Sequence, residues 1–283
     1  MNEPRYPLSG PTPRHEALHE GIPIWLHESI RAWLDGALDS LARQLNHSDT
    51  GLTLARMFDL YARLEDPLAP KARGAYLWSV VMKRDDDLIL DFLDFLLPML
   101  REVGLIRLID ELERPLALGG SAWRVATRDG RPGLERRVGD TAIAAAEKAM
   151  SEAGHAGNLL EQAWQKVYGR HPDAKGAYSK AVLAVEEVAA SLVIKNDLKP
   201  TLGKIASAME NQGDWRYVLH EGGRDEAKDA PLRQIQELWH RDPRHADGKG
   251  TYSDPSPEEA ETAVFLAVGL VHLFRNGLIA RKP

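Results

Sequence analysis

Residues 177–194 read AYSKAVLAVEEVAASLVI, and their spacing decides the fold. Ala181, Val182, Val185, Val188, Ala189 and Leu192 recur at intervals of three and four, so they share one helical face. That face is made of small residues, which lets a second helix approach closely. Downstream, residues 256–274 read SPEEAETAVFLAVGLVHLF. Ser256 is placed as an N-cap, Pro257 as the first helical residue, and Glu259 completes an S-x-x-E capping box. Ala260, Ala263, Val264, Ala267, Val268, Val271 and Phe274 give this last helix its apolar face. Thr141 to Ala153, Ala156 to Tyr168, Thr201 to Asn211 and Pro231 to Trp239 read as further helices.

The helical period also governs the first half. Trp25, Ile30, Trp33, Leu34, Ala37, Leu38, Leu41 and Leu45 form one stripe, and Leu52 to Leu64 follows the same rule. Asp85, Asp86 and Asp87 precede the apolar run Leu88 to Leu100, where carboxylates suit the positive end of a helix dipole. Gly104 supplies a stop, and Pro98 marks a kink. At thirteen residues, interrupted by Asp91, Asp94 and Pro98, this run is too short to span a bilayer. The opening stretch MNEPRYPLSGPTPRHEALHEG lacks the apolar core of a signal peptide and reads as an extended lead-in. A cytoplasmic protein without membrane contact is the expectation. The one β signal is SAWRVATRDGRPGLERRV at 121–138. Trp123, Val125 and Thr127 alternate with polar residues, as do Leu134 and Val138 around Arg136, and DGRPG supplies the turn.

The chain has 283 residues, 36 Lys+Arg against 42 Asp+Glu, and a formal charge of -6. An apolar content of 43% excludes collagenous and largely disordered classes. The length favours two domains. The whole reads as a mainly α protein: an extended lead over residues 1–20, a helical domain over 21–118, a β-hairpin connector over 119–141 and a helical domain over 142–283. Residues 142–283 hold 18 Lys+Arg and 20 Asp+Glu, leaving 36-18 = 18 and 42-20 = 22 for the rest, so neither half is a basic module. With no Cys, thiolate metal sites and cysteine nucleophiles are excluded and a reducing compartment fits.

Phosphate-binding loops, dinucleotide fingerprints, HExxH and GxSxG are all missing from the sequence. The chemistry concentrates instead in LWHRDPRHADGKGTYSDPSP, residues 238–257. His240, Arg241, Arg244 and His245 crowd together there, followed by Asp247 and Lys249. His exchanges protons near neutral pH, and Arg holds a phosphate bidentately without losing its charge. An Arg/His loop between helices therefore suits metal-independent cleavage of a phosphodiester: His moves the proton and Arg neutralises the developing charge. A metal site of His240, His245 and Asp247 is the weaker reading, since a loop lacks the helical spacing that aims ligands inward. The loop also reads simply as a polar connection with its charges in solvent. The hairpin concentrates Arg124, Arg128, Arg131, Arg136 and Arg137, which read either as solvated strand faces or as a phosphate-facing patch. Trp239 reads as a core anchor.

Four segments together resemble a known family: AWQKVYGRHPDAKGAYSKAVLAVEEVAASLV, TLGKIASAMENQG, LWHRDPRHADGKG and SPEEAETAVFLAVGLVHLF. Over residues 142–283 the chain is similar to the HEPN superfamily (higher eukaryotes and prokaryotes nucleotide-binding), in the branch found at the C-terminus of abortive-infection proteins. The resemblance implies an all-α bundle that forms a homodimer, needs no cofactor, and serves bacterial phage defence or stress response. Catalytic members are metal-independent RNases in which an Arg and a His, four to six residues apart, act across the dimer. Here the His falls on His245, but Arg241 has three residues between and Arg244 none. Arg233 and His240 have six between them, yet precede the loop. Either Arg241 or Arg244 serves with altered geometry, or the chain binds without cutting. Glu186 is the candidate for orienting these groups, with His240, Lys249, Arg124 and Arg128 as candidate RNA contacts. The alternative is a non-catalytic dimeric interaction or regulatory protein whose partner is a phage component or an antitoxin.

Overall fold

The computed structural model describes residues 18–46, 49–212, 215–219, 229–242 and 253–281. The fold is mainly α, with eleven helices and two short antiparallel strand pairs among the described residues. The chain divides into two compact units, with the break between Arg137 and Val138. No described helix is long and apolar enough to cross a membrane.

The first unit opens with α1 (Ile24–Leu45), α2 (Thr50–Tyr61) and α3 (Leu77–Val81). α1 buries Leu26, Ile30, Trp33, Leu34, Ala37, Leu38 and Leu41. Its sequence stripe is right in the middle and overruns at both ends: Trp25 is 62% exposed, Leu45 is exposed, and Trp25 donates its indole N–H to the Gly119 carbonyl. The centre of the unit is α4 (Asp86–Glu102), which buries Ile89, Leu90, Phe92, Leu93, Leu96, Leu97 and Leu100. Asp85 caps it by accepting from the Leu88 N–H at 2.9 Å. It ends where Gly104 takes φ +81°, with the Gly104 N–H bonded to the Arg101 carbonyl and the Leu105 N–H to the Leu100 carbonyl. Only a glycine adopts that turn without strain. Pro98 sits inside α4, which continues through it to Glu102.

α5 (Ile106–Leu118) leads into the hairpin, β1 (Trp123–Arg128) and β2 (Arg131–Arg136). Asp129 and Gly130 form the two-residue turn, both at positive φ, which matches the twist of the flanking strands. The hairpin packs against α4 and α5, so it belongs to the first unit. Two carboxylates hold its edges: Glu113 of α5 accepts from the Val125 N–H at 2.7 Å, and Asp94 of α4 accepts from the Leu134 N–H at 2.6 Å.

The second unit comprises α6 (Asp140–Glu152), α7 (His155–Tyr168), α8 (Ala174–Val193), α9 (Leu202–Asn211), α10 (Asp229–His240) and α11 (Pro257–Arg275). α8, the helix of the small-residue face, packs against α7, α9 and α11 and buries Ala177, Tyr178, Ala181, Val182, Ala184, Val185 and Ala189. Small side chains permit burial on several sides at once. Strands β3 (Trp215–Tyr217) and β4 (Ile279–Arg281) pair antiparallel, with the Arg281 guanidinium 5.6 Å from the Trp215 ring centre. α11 carries the full capping box, Ser256 accepting from the Glu259 N–H and Glu259 accepting from the Ser256 N–H.

Candidate functional site

Arg241 and Asp242 follow the last turn of α10, and Ser253 to Ser256 lead into α11. Arg244, His245, Asp247 and Lys249 lie between them, outside the described residues. His240, in the last turn of α10, is exposed. Arg241 forms an ion pair with Glu259, the capping-box carboxylate at the start of α11. The Ser256 backbone N–H, and then Arg241, hold the Glu259 carboxyl below its usual range.

Beside this pair is a pocket of about 280 Å³, lined by Tyr178, Glu237, Leu238, Arg241, Glu258, Glu259, Thr262, Ala263 and Leu266. Tyr178, from α8, closes one wall and donates its hydroxyl to the Leu238 carbonyl at 3.2 Å. Burial, and then the nearby Asp242 carboxylate, push the Tyr178 phenol well above its ordinary value, so it remains a neutral donor. Asp242 is itself 1% exposed. Among the described residues of this lining three carboxylates accompany one guanidinium, a balance that by itself favours a cationic group over a phosphate.

The other expected site residues are placed elsewhere. Glu186, 5% exposed, accepts from the Leu202 N–H at 2.8 Å and so caps the start of α9. Arg124 and Arg128 converge on Glu135, at 2.8 Å in each case. Glu135 is 3% exposed. Burial pushes its carboxyl upward, but the Arg128 and Arg124 guanidiniums outweigh burial and hold it below the usual range. Arg136 pairs with Glu20 and Arg137 with Glu113. All four arginines are paired within the first unit, but only Arg124 and Arg128 are withdrawn from solvent with their partner; Arg136 stays exposed, as the solvated-face reading has it. Trp239 packs against the core of the second unit as expected, its ring 2.6 Å from where a Cβ on Gly203 would stand.

Sequence reasoning missed Tyr178, Asp242 and Glu135. Glu135 had a usable signal: a two-residue turn at Asp129–Gly130 places it directly opposite Arg124. Asp242 and Tyr178 are brought together by helix packing, for which local spacing gives no sign. Among the described residues no three His, Asp or Glu side chains group as a metal site.

No family model matches this chain, and no curated protein or solved structure matches it either.

Proposed function

We propose that the second unit is a HEPN-like module directed at RNA, acting in bacterial phage defence or stress response as a homodimer. The observation that carries this reading is the segment joining α10 to α11 in a helical unit, with Arg244, His245 and Lys249 in its sequence and Arg241 at its start. In its catalytic form, His245 accepts the proton of an RNA 2'-hydroxyl as that oxygen attacks phosphorus. The bond from phosphorus to the 5'-oxygen breaks, and that oxygen takes up a proton. Arg241 or Arg244 offsets the charge that develops on the phosphoryl oxygens, and no metal is required. For Arg241 to take part it must exchange Glu259 for phosphate.

The test is cleavage of single-stranded RNA by the purified chain and by His245→Ala. The expected outcome is loss of roughly a hundredfold or more in rate, the usual contribution of a positioned acid/base group. Equal rates for the two proteins remove the catalytic reading.

A second reading is favoured by the Arg241–Glu259 pair and by the carboxylates Glu237 and Glu258 around the pocket. In it the unit is a non-catalytic interaction or regulatory module that receives a basic group of a protein partner, such as a phage component or an antitoxin. Failure of the chain either to bind or to cut RNA shifts the weight to this reading, whereas binding without cleavage leaves an RNA-binding module.

A further inference from the structure

Residues 67–84, PLAPKARGAYLWSVVMKR, carry four cations and no carboxylate. The segment is tied down at its start, where Asp59 accepts from the Leu68 and Ala69 N–H groups, and at its end by α3, which buries Leu77, Val80 and Val81. Between these anchors Arg73, Gly74, Ala75 and Tyr76 are all exposed, with Gly74 at φ +74° turning the chain. Tyr76 is 72% exposed, yet its backbone is fixed: its carbonyl accepts from both the N–H and the hydroxyl of Ser79. The Tyr76 and Trp78 rings lie nearly parallel, 18° apart with centres at 6.2 Å, and Arg31 of α1 sits 5.0 Å over the Trp78 ring.

Resting on the RNA-directed reading above, we propose that Tyr76 and Trp78 form a stacking platform for the bases of single-stranded RNA, with Arg73 and Lys83 meeting its phosphates. An aromatic ring left in water on a rigid backbone forgoes burial that folding would otherwise gain. Held this way it offers a π-face to any base with little ordering cost on binding. The charges divide the labour. Lys71 and Arg84 are spoken for by Asp66, whereas Arg73 and Lys83 are exposed and form no ion pair among the described residues. Aromatic faces interleaved with cations suit a polyanion with planar groups better than an apolar helix, which needs a contiguous apolar surface.

Fluorescence anisotropy of a labelled, mixed-sequence single-stranded RNA, read with the full chain, tests this. Tyr76→Ala weakens binding roughly tenfold or more, and Tyr76→Phe binds as the parent does. Arg73→Ala lowers the slope of log affinity against log salt by about one. Tyr76 is exposed, so its variants keep the parent's circular dichroism. Equal binding by the parent and Tyr76→Ala overturns the platform. If Arg244→Ala and His245→Ala lose binding while Tyr76→Ala does not, the platform falls and the RNA-directed reading of the second unit stands. If Tyr76→Ala alone loses binding, the platform stands and that reading of the loop falls. If the parent binds no RNA, both fall.

Discussion

Two buried carboxylates show why residue chemistry here is first of all structural. Glu135 is held between Arg128 and Arg124, so removing its charge strands two guanidiniums in a largely dry site. Glu135→Gln is expected to destabilise the first unit by about 3–5 kcal/mol, measured by urea unfolding. The pH dependence has a definite sign. Because the folded carboxyl lies below its unfolded value of about 4.3, the pair's contribution is complete above that pH and disappears as acid carries the solution down through the folded value. Parent and Glu135→Gln therefore converge in stability at low pH and diverge toward neutrality. Glu186 accepts from the Leu202 N–H at the start of α9, and Glu186→Ala is expected to cost about 1–3 kcal/mol, the penalty of an orphaned buried N–H. A Glu186 role confined to RNA chemistry would leave urea stability unchanged in that variant.

At the scale of elements, the caps were readable and the cross-element contacts were not. Asp85, Gly104 and the Ser256–Glu259 box each act within a few residues of themselves, so local sequence announces them, whereas the turn read over DGRPG closes at Asp129–Gly130 and leaves Arg131, Pro132 and Gly133 in β2. Ser256→Ala should lower the stability of the second unit by about 1 kcal/mol, visible as a shift in the urea midpoint. Contacts that depend on how helices pack left no local trace. Tyr178 and Leu238 are 60 residues apart, and Glu186 and Leu202 are 16 apart. The site is legible only in part for the same reason: Arg241 stood out by composition, while its partner Glu259 was read solely as a cap. α9 and α10 supply a sharper case, since the Trp239 ring lies against Gly203. Gly203→Ala places a methyl group into an aromatic ring, and the expected loss is about 1–3 kcal/mol by thermal or urea unfolding.

On the scale of the molecule, each unit has its own apolar core, one centred on α4 and the other on α8. Leu93→Ala and Val185→Ala create cavities in different cores, each at 0% exposure in the parent. Leu93→Ala should destabilise the first unit by about 2–5 kcal/mol, read from hydrogen exchange in α4. The hairpin bears on a different property, the behaviour of many copies in one solution. A two-stranded ribbon ordinarily presents outward N–H groups on both margins, which are templates for strand addition by another molecule. Here the outward N–H groups of Val125 and Leu134 are already occupied, by Glu113 on one margin and Asp94 on the other. Those two side chains thus act as guards against intermolecular sheet growth. Replacing both by alanine should raise light scattering during mild heating at high protein concentration, whereas replacing the exposed Glu187 of the second unit should not.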